Sequence, residues 1–344
     1  VKRFAIETTI RISTRMASAK TLPVAIICDF AGDTSLGMEV RSGLTGSPKT
    51  LSPWLFYDAY GSELFEQITE IPEYYLTRTE RAILAAHAPE IVRQAAGNQR
   101  LAVIELGAGT ASKTGLILAA ATVSQQTVEY YPIDVSASAL DEAQRHLEQE
   151  LPGVRVHPRV ADYTDGLGQI EAAGARKLVL YIGSSIGNFE PHDAARLLQS
   201  VRSELATGDV LLLGADQVKH ENLLLAAYND ARGVTAAFNK NILRRINREL
   251  DADFDLDLFD HDARWNRDKS RMEMHLRSRV HQTISIAALD MAIEFRAGET
   301  IHTENSYKFT DASIMRMLAS AGFTLRTEWK DEHSAFAVYL AEAS

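Results

Sequence analysis

Cysteine is almost missing from this chain of 344 residues: Cys28 is the only one. A lone thiol forms no intrachain disulfide and no cysteine-cluster metal site, which fits a reducing compartment. Long apolar runs are missing too. None approaches the roughly 18 residues that a membrane span needs, so the expectation is a cytoplasmic protein with no membrane partner. Basic charge is in deficit, with Lys+Arg 36 against Asp+Glu 46 and a formal net charge of −10. That balance argues against nucleic acid as a partner, because its recognition needs basic patches. No His-Glu-x-x-His occurs. The calcium-like spacing Asp251-x-Asp-x-Asp255 has Leu256 where the loop wants glycine and Asp262 where it wants glutamate. It reads as a solvated acidic loop, and no metal is expected.

What is present describes a soluble globular chain, 46% hydrophobic and 24% charged, long enough for one large or two modest domains. Residues 1–30 open with Lys2, Arg3, Arg11, Arg15 and Lys20 against one acid, Glu7. They are expected to be a disordered N-terminal extension ahead of a start at Met16, in preference to a targeting segment.

The strongest signal is Val103-Ile-Glu-Leu-Gly-Ala-Gly-Thr110, followed by Glu129-Tyr-Tyr-Pro-Ile-Asp134. An apolar run ends in Gly107-x-Gly109, a helical segment follows, and the next run closes on a carboxylate. This is the layout of a nucleotide-binding βαβ unit, in which the acid takes ribose hydroxyls. A dinucleotide fingerprint wants a third glycine where Ser112 stands. With Glu105 two residues before the first glycine, the loop fits S-adenosylmethionine better. Asp162-Tyr163, after a third strand-like run, extends the same edge. A nicotinamide-dependent oxidoreductase is the alternative of another class.

Strands are expected at Leu101–Leu106, Val128–Ile133, Val154–Val160, Leu178–Ile182 and Val210–Leu213, with helices at Ala111–Ala121, Ala137–Leu151 and His192–Leu205 between them. The alternation implies α/β architecture with a parallel sheet. Beyond Ala215 it stops. Asn222–Arg248 reads as helical, Asp251–Asp262 as acidic loop, and Arg271–Arg277, His281–Ile286 and Ala292–Phe295 as antiparallel strands. From residue 307 the pattern returns, with a helix at Asp311–Ala321 and a strand pair at Phe323–Trp329 and Ala335–Ala341. Residues 37–215 and 307–344 are therefore expected to form a discontinuous cofactor domain. Residues 216–306 form a smaller α+β substrate domain, against which 79–100 can pack.

Six stretches carry a family resemblance: Glu73-Tyr-Tyr-Leu-Thr-Arg78, Glu105-Leu-Gly-Ala-Gly-Thr-Ala-Ser-Lys-Thr114, Gly183-Ser-Ser-Ile-Gly-Asn188, Gly233-Val-Thr-Ala-Ala-Phe-Asn239, Asn247-Arg-Glu-Leu-Asp-Ala-Asp-Phe254 and Thr303-Glu-Asn-Ser-Tyr-Lys-Phe309. The chain, from about Gly37 to Ala341, closely resembles the L-histidine Nα-methyltransferases of ergothioneine biosynthesis. The resemblance implies a class I methyltransferase fold and S-adenosyl-L-methionine as methyl donor, leaving S-adenosyl-L-homocysteine. It implies L-histidine as substrate and its betaine, hercynine, as product, and a monomer is expected. A methyltransferase for another amino acid or small amine is the nearer alternative.

Carried over position by position, the resemblance puts cofactor contacts on Gly107, Gly109, Lys113, Asp134, Asp162 and Tyr163, the last in place of a phenylalanine common in the family. It puts substrate contacts on Tyr57, Phe65, Tyr74, Asn188, Tyr228, Met274, Glu304 and Ser306. Tyr57 and Asn188 are the candidates for handling the amine, although an ordinary tyrosine, with a pKa of about 10, is a poor base. Aromatic faces such as Tyr57 and Phe65 suit a growing ammonium that loses its N–H donors. Glu304 and Ser306, two apart and on one face of a strand, would bind the two imidazole nitrogens.

Overall fold

The computed structural model describes residues 34–344 except 110, 112, 162 and 173. The N-terminal extension expected at residues 1–30 lies outside them. The main sheet runs in the order Phe323–Lys330, Phe336–Ala343, Val210–Asp216, Arg176–Tyr181, Leu101–Leu106, Val128–Asp134, Val154–Val156, with Arg159–Val160 also paired to Val128–Asp134. From Val210–Asp216 onward every pairing is parallel. Phe336–Ala343 alone reverses, pairing antiparallel on both its sides. This is the expected α/β sheet with its terminal antiparallel pair.

The central strands, Leu101–Leu106 and Val210–Asp216, are buried throughout because both faces are covered. Side-chain alternation divides them between two cores. Val103, Leu178, Leu180, Leu212 and Val338 pack with Ile83, Leu84, Ile91, Ile117 and Leu118, from the helices Tyr75–Ala96 and Thr114–Gln125. Their neighbours Ile104, Val179, Leu211, Leu213 and Tyr339 pack with Leu198, Val201, Ile314 and Leu318, from the helices Pro191–Ser203 and Asp311–Ser320.

A second, antiparallel-rich sheet stands beside the first, in the order Lys49–Thr50, Thr300–Tyr307, Arg271–Ser278, Phe259–Asn266. The helices Ala59–Glu70, Glu221–Tyr228 and Val234–Leu250 belong with it, and its apolar residues join the first core without a break. Two features differ from the sequence reading. Lys49–Thr50 lies in the segment assigned to the cofactor domain, yet it pairs with Thr300–Tyr307 of the second sheet. The expected acidic loop also includes a strand, Phe259–Asn266. Its carboxylates are occupied: Asp260 pairs with Arg277 and Arg279, and Asp262 with Arg264.

Candidate active site

At the carboxyl edge of the parallel strands, where open α/β sheets bind ligands, the first turn carries Gly107 at φ 72° and Gly109 at φ 50°. Both lie in the left-handed region that L side chains avoid. The helix begins at Thr114, later than its expected start at Ala111, because Ala111 also has positive φ, 53°. Asp134 closes the next strand. Its Oδ2 accepts the Gly109 N–H at 2.9 Å and its Oδ1 accepts the Ser136 N–H at 2.9 Å. Each oxygen keeps a lone pair for a hydroxyl. Beside it in register lies Val160, an apolar side chain left 61% exposed.

Glu105, read as part of the loop, does other work. It accepts from Thr114 Oγ1 at 2.6 Å and from the Tyr130 hydroxyl, and is buried. Burial pushes its carboxyl up to about 7. It ties the strand to the helix that follows. Lys113 pairs with Glu80, which also accepts the Gly183 N–H at 2.8 Å. Asp162 lies outside the described residues, as does the side chain of Tyr163.

The eight candidate substrate residues come together. Tyr57, Phe65, Tyr74, Asn188, Tyr228, Met274, Glu304 and Ser306 line one pocket, with Gly183, Ser184, Thr235 and Phe238 among its other walls. One wall is aromatic. Tyr57 lies 5.8 Å from Phe65 and 5.6 Å from Phe238, Phe65 lies 6.5 Å from Tyr74, and Tyr74 lies 6.4 Å from Tyr228, centroid to centroid. Burial raises the Tyr74 and Tyr228 hydroxyls, and the neighbouring carboxylates add to the effect. Both are neutral phenols, not bases. Asn188 is not a helix cap: the helix beginning at Pro191 is entered from Glu190.

The opposite wall is polar and comes from one strand. In the Thr300–Tyr307 strand the register shifts between His302 and Glu304, so that His302 faces His275 and Glu304 faces Met274. Thr303 is the extra residue. Its single hydroxyl proton is shared between Asn239 Oδ1 at 2.7 Å and the Met274 carbonyl at 2.9 Å. A bulge of this kind re-aims the side chains beyond it. Here these are Glu304 and Ser306. Glu304 has no side-chain hydrogen bond to another described residue, and burial lifts its carboxyl to about 7 against the pull of Lys308.

The two parts meet at the Gly183–Asn188 turn. Gly187 admits the Tyr307 backbone so closely that a Cβ would sit 2.8 Å from its carbonyl oxygen. Ser184 holds a left-handed conformation at φ 60°, and its hydroxyl accepts the Asp216 N–H at 2.9 Å. Asp134 and the glycine loop are not themselves in the pocket lining; Glu80 connects Lys113 to Gly183 at its wall. The glycine loop therefore leads to a cavity with a carboxylate unpaired among the described residues, a hydroxyl and an aromatic wall.

The model of the family described as "Histidine-specific methyltransferase, SAM-dependent" matches residues 36–343. The chain belongs to this family. The histidine N-alpha-methyltransferase of Mycolicibacterium smegmatis is 46% identical over 307 residues, covering 89% of this chain and 94% of that one. The protein of the same name from Mycobacterium tuberculosis is 42% identical over 90% of this chain and 96% of its own. Among solved structures, a S-adenosylmethionine-dependent methyltransferase from Clostridium acetobutylicum aligns with TM-score 0.44 at 12% identity, over 83% of this chain and 100% of that one. Family membership makes the protein an S-adenosylmethionine-dependent methyltransferase, and the open positive-φ loop, Asp134 and the exposed Val160 suit that nucleoside.

Sequence reasoning missed Glu80, Asp216, Lys308 and Phe238. Asp216 had a signal, since it ends a wholly buried parallel strand at the ligand edge. Glu80 had one as well: it shares the buried helix face of Leu76, Ile83 and Leu84.

Proposed function

We propose that the protein transfers methyl groups from S-adenosylmethionine to the α-amine of L-histidine until the amine is a trimethylammonium, giving hercynine, the first step toward ergothioneine. The observation that carries this reading is Glu304, a carboxylate without a hydrogen-bond partner among the described residues, beside the Ser306 hydroxyl in a pocket walled by aromatic rings. An imidazole has a nitrogen for each. A buried polar group left unpaired by the wrong ligand is a strong discriminator.

The sulfonium supplies an activated methyl group, so the chain's own residues have to bind, align and exclude water. Asp134 receives the ribose hydroxyls and the Gly107–Gly109 turn lets the cofactor backbone approach. Asn188 and Tyr228 hold the α-carboxylate and amine. Burial of the amine disfavours its charged form and frees the lone pair. Tyr57, Phe65 and Phe238 face the nitrogen as its N–H groups disappear, each ring worth roughly 0.5–2 kcal/mol to a desolvated cation. Residues 216–306 act as the substrate unit and the main sheet as the cofactor unit, and the protein works as a cytoplasmic monomer without nucleic acid. The acidic charge supports the absence of nucleic acid, and the single cysteine supports a reducing compartment. The test is incubation with S-adenosylmethionine and each amino acid in turn, followed by mass spectrometry. Histidine gaining three methyl groups is expected; another amino acid reacting in its place overturns the reading.

A further inference from the structure

Behind the polar wall lies a charge pair shut off from the solvent surface. Lys308 and Asp216 are both fully buried, and their Nζ and Oδ2 are 2.8 Å apart. The ammonium also donates to Tyr228 Oη at 2.8 Å and to Ser306 Oγ at 2.9 Å. Its three N–H groups are thereby all assigned. Asp216 is fixed in turn by the Tyr75 hydroxyl at 2.8 Å and by Lys219.

The proton inventory of the two hydroxyls follows. Tyr228 Oη and Ser306 Oγ are 2.7 Å apart, so one donates to the other. A phenol is the stronger acid of the two, and the ammonium donates to both oxygens and so leaves that order unchanged. Tyr228 therefore donates to Ser306. Ser306 Oγ then has one lone pair taken by Lys308 and the other by Tyr228. All that it can offer a ligand is its own O–H.

We propose that Lys308 is a positioning residue that fixes this hydroxyl order, so that Ser306 faces the pocket only as a donor and the site selects a neutral ring with one accepting nitrogen. Glu304 takes the ring N–H and Ser306 the ring lone pair. An imidazolium, with N–H on both nitrogens, meets a donor and a nearby cation, and a ring without an accepting nitrogen leaves the Ser306 hydroxyl unpaired. The proposal rests on histidine being the substrate.

Two measurements test it. The first uses the wild-type protein with S-adenosylhomocysteine and histidine labelled with 15N in the ring, at pH 6. Free histidine, with a ring pKa of about 6.5, is then mostly protonated. The bound ring is expected to show one protonated and one unprotonated nitrogen. Two protonated nitrogens overturn the proposal even if histidine is methylated. The second compares histidine with the two pyrrolylalanines, which keep a ring N–H and have no accepting nitrogen. The wild type should favour histidine over the better of them by about 100-fold in kcat/KM. In Lys308→Met combined with Asp216→Asn, which removes both buried charges together, the preference should fall below about 10-fold. A folded double variant that keeps the preference overturns the proposal, and should it not fold, the 15N spectra decide alone. Absence of any histidine methylation by the wild type would instead remove the substrate assignment, and this proposal with it.

Discussion

Two glutamates, Glu105 buried in the sheet and Glu304 half-buried in the pocket wall, have carboxyls that desolvation lifts to about 7. Glu105, under the glycine turn, is satisfied by Thr114 and Tyr130, which lie 9 and 25 residues away in sequence. Glu304, in the pocket, is satisfied by nothing in the described chain. A buried acid with its own partners is architecture. A desolvated acid in a pocket wall without them is a place made for a ligand, since an unpaired polar group costs about 1–3 kcal/mol or more once the pocket closes over it. The cofactor edge is thus complete within itself, and the substrate pocket is completed by what enters it.

The sharpest way to break this contrast is to remove the unpaired acid. Glu304→Ala should lower kcat/KM for histidine by about 1,000-fold, equivalent to about 4 kcal/mol. S-adenosylhomocysteine binding, followed by calorimetry, should stay within about twofold, a margin far smaller than the 1.4 kcal/mol that a tenfold change represents. Unchanged histidine turnover would show that Glu304 does not read the ring. On the other side, Asp134→Ala should weaken S-adenosylhomocysteine by about 10- to 100-fold, since the ribose loses a charged acceptor worth about 1.5–3 kcal/mol. Wild-type affinity in that variant would move the nucleoside elsewhere.

The two halves also differ in how far the sequence disclosed them. The glycine loop, Asp134 and the alternating strands were legible because they lie within one βαβ unit, where spacing alone brings them together. The pocket and the charge pair behind it join partners such as Tyr228 and Ser306, 78 residues apart, and Tyr75 and Asp216, 141 apart. Periodicity carries no information at that range, and the pocket residues were found through family motifs. Lys308 stood inside one of those motifs and was still overlooked, because a lysine is ordinarily a solvated residue. Only its three buried acceptors show what it does. The Phe259–Asn266 strand was hidden for a similar reason: its acids look like a loop until Arg264, Arg277 and Arg279 are placed beside them.

A third prediction follows from the charge on Glu304 in the unliganded protein. Its folded carboxyl titrates at about 7 against an ordinary 4.5. Between those values the folded state holds a proton that the unfolded state has lost, so stability falls as pH rises through the window. Glu304→Gln lacks this loss. Its melting temperature should match the wild type near pH 4.5 and exceed it by a few degrees at pH 8, for a gain of about 3 kcal/mol. A difference independent of pH would mean that the empty pocket does not raise the Glu304 carboxyl.

The smallest expected effect tests how the pocket half is aimed. Thr303 fills the bulge that separates the His302 register from the Glu304 register, and its hydroxyl joins Asn239 to the Met274 carbonyl. Valine has nearly the same shape and lacks the hydroxyl. In Thr303→Val the bulge stays filled, but two buried acceptors lose their donor and the strand is no longer held to the Val234–Leu250 helix at that point. Glu304 and Ser306 should keep their identity and lose some of their alignment. KM for histidine should rise about threefold to tenfold, equivalent to about 0.7–1.4 kcal/mol. The affinity for S-adenosylhomocysteine should not move, because nothing in the glycine turn touches Thr303. Thr303→Ser, which restores the hydroxyl, should bring KM back. If valine and serine behave alike, the bulge is held by backbone packing alone, and the aim of Glu304 owes nothing to the Thr303–Asn239 bond.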